Sequence, residues 1–356
     1  MDGTTARVRS LDGVRGIAIL AVVAFHAGVP GAGNGAGGVI VFFVLSGYLI
    51  TTLLLLRPIT GGSLGVFYLK RLLRLYPALL LVLAACAGIA VFMHNGQDRQ
   101  DLFGEIMRSG LYIQNFALAS QHQIDDWGYL GHTWSLAVEE QFYLLWPLVL
   151  VGVTALPISH RGRFAAIGAL LVAASLWRAH LSAAGLQHRV GVGFDGNAES
   201  LLVGCALAYA LMAYRPNPGP RFAAILRIGP LVALVALLVV FTGKISLPFD
   251  HTRLMIALLT AAIIVAIALQ PSGPTARLLG WRPLAFVGVV SYGLYLWHLI
   301  VFRMFKEHAH IVTMSEKLLW TPAMLAATVV VTIASYYLVE KPSNALKDRL
   351  PVAGTR

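Results

Sequence analysis

Charge is what this chain has least of. Only 12% of its 356 residues are Asp, Glu, Lys or Arg, while 58% are hydrophobic. Soluble domains carry about 25% charged residues, so the composition excludes a soluble globular protein and calls for a polytopic membrane protein. Cysteine is almost absent as well. Cys86 and Cys205 both lie inside apolar runs, which excludes a disulfide framework and offers no pair at metal-ligand spacing. There is no glycine-rich phosphate fingerprint, no HExxH and no internal repeat. Acidic residues number 16 against 27 basic ones, for a net charge of +11. The basic residues sit in short segments between apolar runs, a pattern of membrane orientation and anion binding and not of nucleic-acid binding.

What the chain does have is long apolar stretches. A window of about 20 residues marks ten spans: 13–30, 36–56, 70–93, 135–155, 164–184, 198–214, 222–242, 254–270, 284–305 and 319–340. An eleventh stretch, 102–119, is interrupted by Glu105, Arg108 and Gln114 and reads as a re-entrant or surface helix. The expected fold is an all-α, polytopic membrane helix bundle forming a single domain over 1–356. With the N-terminus inside, the cytoplasmic segments collect Arg7, Arg9, Arg57, Lys70, Arg71, Arg74, Arg161, Arg163, Arg215, Arg221, Arg277, Arg282, Lys341, Lys347, Arg349 and Arg356. The outer segments hold only Arg99, Arg108, Arg189, Lys244, Arg253, Lys306 and Lys317, and the longest, 94–134, is acidic (Asp98, Asp101, Glu105, Asp125, Asp126). This bias places both termini in the cytoplasm. Glu340 and Lys341 mark the last cytoplasmic boundary, followed by a short basic tail.

The first stretch, LDGVRGIAILAVVAFHAG over 11–28, carries Asp12, Arg15 and His26 in an otherwise apolar run. Such residues cost kilocalories in lipid unless matched, so they are functional candidates. Eleven residues at 100° return to within about 20°, so Arg15 and His26 share one helix face roughly 16 Å apart. Arg7 and Arg9 ahead of an apolar run also resemble a signal peptide, but one would have no reason to contain Arg15 and His26.

Further candidates follow in chain order. Ser46-Gly47 in the second span allows close helix approach, with Ser46 bonding to a backbone carbonyl, or else a ligand contact. Lys70, Arg71 and Arg74 gather on one side of a helix by their i, i+3 and i, i+4 spacing. They serve either as anchors to anionic lipid heads or as a dock for a phosphate-bearing ligand. Glu139 and Glu140 enter a hydrophobic helix about 100° apart, so one of them at most faces the cavity lined by Arg15 and His26. It forms a helix-locking salt bridge or orients the imidazole. His132 reads as an interface histidine and His298 as a packing residue.

Together these segments resemble the membrane acyltransferase-3 family, whose members O-acylate sugars and other hydroxyl compounds. The carriers are Arg15 and His26 in the first span and Phe42, Phe43, Ser46 and Gly47 in the second. Lys70, Arg71, Arg74, Tyr76 and Pro77 follow in the third, then Trp134, Ser135, Leu136, Glu139, Phe142 and Tyr143, and the late SYGLYLWH containing His298. They run in family order from residue 9 to 342. One departure concerns Asn197, where relatives often have arginine; no role is carried onto it. Another is the SGNH esterase-like domain of many relatives, for which the chain is too short.

The resemblance implies an acyl-CoA-dependent O-acyltransferase of the cell membrane, in a bacterium the inner membrane, with acetyl-CoA as donor and no metal. The acceptor is a glycan, a lipid-linked sugar or a small secondary metabolite. It assigns catalysis to His26 as general base, Arg15 as donor clamp or charge stabiliser, and Glu139 as orienter or proton-transfer aid. Donor phosphates fall to Lys70, Arg71 and Arg74, and further substrate contacts to Tyr76, Phe42, Ser46, Trp134, Ser135, Tyr143 and His298. Direct transfer and an acyl-histidine intermediate both remain open. A rival reading, a transporter or flippase for a lipid-linked sugar or small anion, suits the intramembrane Arg, His and Glu but lacks an inverted repeat.

Overall fold

A computed structural model describes residues 8–56, 61–120, 127–214, 219–245, 248–309 and 313–349. Arg7, Arg57, Asp125, Asp126, Arg215 and Arg356 of the orientation argument lie outside these residues. The described chain is helical, without strands. In order it forms α1 (Arg9–Ala27), α2 (Gly38–Leu55), α3 (Gly61–Phe92), α4 (Gly96–Gly110), α5 (Gln114–Ala119), α6 (Trp134–Ala155), α7 (His160–Ala183) and α8 (Gln187–Val192). There follow α9 (Phe194–Tyr214), α10 (Pro220–Phe241), α11 (Phe249–Leu269), α12 (Pro274–Leu279), α13 (Arg282–Val289), α14 (Ser291–His308), α15 (Met314–Ser335), a π-turn (Tyr336–Glu340) and α16 (Lys341–Arg349). Among the described residues nine helices are long and apolar enough to cross a membrane, and ten if α13 and α14 count as one broken span. They fall where the apolar windows place the ten spans.

Three details depart from the sequence reading. The ninth span, expected unbroken over 284–305, bends by 67° between α13 and α14. The Val290 N–H closes α13 on the Phe286 carbonyl, and a new helix starts at Ser291. The third span begins earlier, at Gly61. Its 32 residues make a rod of about 48 Å, longer than a hydrocarbon core of about 30 Å. The stretch 102–119 is two short helices parted at Tyr112, which adopts a left-handed backbone (φ 54°).

The helices form two compact units, Met1–Leu45 with Tyr214–Tyr292 and Ser46–Ala213 with Gly293–Arg356. In the first, α1 lies backbone to backbone against α12 and α13, and glycine makes this possible. A Cβ on Gly13 would sit 1.8 Å from the Leu279 carbonyl oxygen, on Gly16 2.4 Å from that of Leu284, and on Gly288 1.7 Å from that of Asp12. Small residues are how helices approach closely where lipid supplies no hydrophobic drive. The helix stops at Gly28, whose left-handed backbone (φ 73°) returns its N–H to the Ala24 and Phe25 carbonyls.

In the second unit, Gly47 plays the same part for α2 and α9: a Cβ there would lie 1.9 Å from the Leu201 carbonyl oxygen. A buried ion pair, Arg178 Nε to Glu199 Oε2 at 2.8 Å, joins α7 to α9, and Ser175 donates to the other Glu199 oxygen at 2.6 Å. Buried charge needs such complete matching to be tolerated. Outside the spans, Glu105 on α4 accepts the Leu130 N–H at 2.8 Å, and burial pushes its carboxyl above the ordinary glutamate range.

Two outcomes follow. Gly16→Val should prevent α1 from seating against α13 and cut the yield of folded protein severely, as read by monodispersity in detergent. Gly61→Val, where a Cβ meets nothing within 4 Å, should leave it unchanged. Because the folded state holds the Glu105 proton more tightly than the unfolded one, stability should fall as pH rises from the ordinary glutamate value through the raised one. Glu105→Gln should flatten that part of the melting-temperature profile.

Candidate functional site

The residues singled out by the sequence fall into both units. Arg15, His26 and Phe42 belong to the first. The Arg15 guanidinium carbon is 5.9 Å from the centre of the Phe42 ring, within the reach of a cation–π contact. Arg15 lies in the Asp12–Gly16 turn that the glycines press against α13, so its backbone is held rigidly. His26 sits in the last turn of α1, half-buried, with its ring edge-on to Phe25 at 5.1 Å. Its Nδ1 is 3.0 Å from the Val22 carbonyl oxygen. A carbonyl only accepts, so Nδ1 is the donor. In the neutral ring Nε2 is then the basic nitrogen, the form a general base requires.

In the second unit the structure brings together Ser46, Arg71, Glu139, Glu140 and Tyr143. The Ser46 hydroxyl donates to Glu139 Oε1 at 2.7 Å, rather than to a backbone carbonyl as expected from its place in α2. A carboxylate one α6 residue away from another competes better for the hydroxyl, since charge-assisted bonds are roughly twice as strong as neutral ones. Arg71 Nε donates to Glu140 Oε1 at 3.0 Å, and its guanidinium lies over the Tyr143 ring at 3.0 Å. The adjacent glutamates thus diverge, as their angular separation requires. Arg71 is committed to this set, whereas Lys70 is half-buried and Arg74 exposed on the same helix. Sequence reading did not pair Arg71 with Glu140; the two are 69 residues apart and only the packing of α3 on α6 joins them.

Tyr76 is placed apart from the cations. Its hydroxyl donates to the Gly110 carbonyl at 3.3 Å and ties α3 to α4. Trp134 opens α6. One residue on, Ser135 belongs to a buried polar chain: Tyr295 donates to the His132 carbonyl at 2.7 Å, so the Ser135 hydroxyl is the donor in its 2.6 Å bond to the Tyr295 oxygen. His132 Nε2 donates to the Leu296 carbonyl at 3.2 Å, and His298 Nδ1 to that of Tyr295 at 2.7 Å. The two imidazole rings meet edge to face at 5.3 Å. His298 and His132, read separately as packing and interface residues, are therefore one buried pair. No spacing rule reveals it, because they are 166 positions apart (298 less 132). Among the described residues no three His, Cys, Asp or Glu gather closely enough to hold a metal ion.

Comparison with known proteins gives the family of the chain. Residues 8–340 match the model of a family described as an acyltransferase domain. The chain is 33% identical over 353 residues to a Bacillus subtilis protein named "Putative peptidoglycan O-acetyltransferase", covering 94% of this chain and 54% of that protein. It is 31% identical over 349 residues to the peptidoglycan O-acetyltransferase of Listeria monocytogenes, covering 94% and 55%. The chain thus spans about half the length of the curated relatives it matches. No solved structure matches. With the family model extending across nearly all of the chain, from the start of α1 to the π-turn, the protein belongs to the acyltransferase family that this model describes.

Proposed function

We propose that the protein is a membrane O-acetyltransferase that moves an acetyl group from acetyl-CoA to a hydroxyl of a cell-envelope glycan. The observation that carries this is His26: within a family of acyltransferases, the first helix offers an imidazole whose Nδ1 is held on the Val22 carbonyl, which makes Nε2 the base. The relatives' names support a glycan acceptor of the peptidoglycan type and acetyl as the group. The transporter alternative draws no support from the family match.

In this reading both termini are cytoplasmic and the donor enters from that side. Its phosphates meet Lys70, Arg71 and Arg74, on a helix longer than a hydrocarbon core is thick. Arg71 also holds Glu140, at 3.0 Å. Nε2 of His26 removes the proton from the acceptor hydroxyl as its oxygen attacks the thioester carbonyl carbon. Arg15, about 16 Å back along the same helix face, holds the donor. When the C–S bond breaks, the CoA thiolate takes the proton back from the imidazolium and leaves as the thiol, and the acceptor leaves as the acetyl ester.

The purified protein should therefore transfer acetyl from acetyl-CoA to a glycan acceptor. His26→Ala should lower kcat by about 100-fold or more, the scale of a lost general base, at an unchanged melting temperature. Full activity in that variant would remove the proposal. Lys70→Glu with Arg74→Glu should raise the KM for acetyl-CoA at least tenfold and leave the acceptor KM alone. An unchanged donor KM would return the two cations to lipid anchoring.

A further inference from the structure

The end of α15 carries buried polar groups that neither the fold nor the chemistry above employs. Thr332, Ser335 and Glu340 are 1%, 3% and 5% exposed. Among the described residues, Thr332 Oγ1, Ser335 Oγ and Glu340 Oε1 have no hydrogen-bond partner. A buried donor or acceptor left unmade costs about 1–3 kcal/mol, and three in one place need a reason. Nearby threonines show the usual remedy: Thr328 donates back to the Met324 carbonyl at 2.7 Å. Thr332 and Ser335 do not.

The three lie in a row. Thr332 and Ser335 are i and i+3 on α15, hence on one face. In a continued α-helix Glu340, five residues on, would point about 140° away from Ser335. The π-turn over Tyr336–Glu340, with its i to i+5 bonding, brings residues five apart towards one face instead, and such turns recur at functional sites. The row runs along the first turn of α14: a Cβ on Gly293 would lie 2.6 Å from Glu340 Oε1 and 3.2 Å from Thr332 Cγ2. Its Glu340 end feels the charge of Arg74 and adjoins the exposed α16, and its Thr332 end lies eight residues deeper in the span.

A carboxylate and two hydroxyls in line fit a linear ligand that alternates N–H donors with carbonyl acceptors. The row extends about 12 Å at most, it begins beside a cation assigned above to the donor phosphates, and it leads inward. We propose that it receives the amide-bearing pantetheine arm of the acyl donor. Glu340 and Ser335 accept from the arm's amide N–H groups, and the hydroxyls donate to its carbonyls. The proposal rests on the acyl-CoA reading above. Because the three oxygens are shielded from solvent, the arm reaches them by parting α14 from α15.

The test uses the full chain in detergent and three probes: acetyl-CoA, acetyl-pantetheine (the arm alone) and adenosine bisphosphate (the nucleotide end alone). The double variant Thr332→Val, Ser335→Ala removes two hydroxyls with little change of shape. It should bind acetyl-CoA about tenfold more weakly, the scale of one to two lost hydrogen bonds, and lose turnover of acetyl-pantetheine. Its affinity for adenosine bisphosphate should equal the wild type's. Its melting temperature should hold or rise, because apolar atoms replace groups that have no partner. Unchanged affinity for acetyl-CoA in the variant would overturn this inference alone. So would a lower melting temperature, which would show the hydroxyls to be structural, or an equal weakening towards the bisphosphate. A wild-type protein that binds neither acetyl-CoA nor the bisphosphate would overturn the acyl-CoA reading and this inference with it.

Discussion

Inside an apolar helix bundle an unmatched polar side chain is costly, because water is not there to solvate it. This cost explains most of what distinguishes the structure from a generic set of greasy helices. Arg178 lies against Glu199, with Ser175 on the remaining oxygen. Arg71 is held between Glu140 and the face of Tyr143, and Ser46 serves Glu139. Tyr295, Ser135, His132 and His298 form a chain that ends on backbone carbonyls. Matching of this kind fixes helices relative to one another within each unit far more narrowly than hydrophobic contact does, since lipid tails compete with Leu and Val for apolar surface but offer nothing to a carboxylate.

Glycine supplies the second constraint. Close approach of α1 to α12 and α13, and of α2 to α9, requires that Gly13, Gly16, Gly288 and Gly47 have no side chain. These contacts hold the turn that carries Arg15. The same helix ends by a glycine cap two residues after His26, so the proposed base stands at a defined terminus with its tautomer set by the backbone. Rigid placement of this sort is what general base catalysis needs, because the proton acceptor has to stand within hydrogen-bond reach of its substrate.

Much of this was legible in the chain. The ten apolar windows coincide with the helices, because twenty apolar residues are a strong local signal. Arg15 and His26 stood out because they interrupt such a run. What could not be read were pairings across the sequence. Ser46 looked set to bond a backbone carbonyl, yet a carboxylate 93 positions away takes its hydroxyl. Arg71 looked like one of three equal cations until Glu140 distinguished it. The break at Val290 has no proline or glycine at its position to announce it. The row of Thr332, Ser335 and Glu340 was hidden by the π-turn, since helical spacing separates Ser335 from Glu340.

The central claim is that His26 drives acetyl transfer to an envelope glycan. It is tested most directly by mass spectrometry of surface glycans from cells whose own gene is replaced by the wild-type or the His26→Ala form, expressed at equal level. The account predicts glycan fragments heavier by one base-labile acetyl group in the wild type and their absence in the variant. Equal acetylation in both would contradict it.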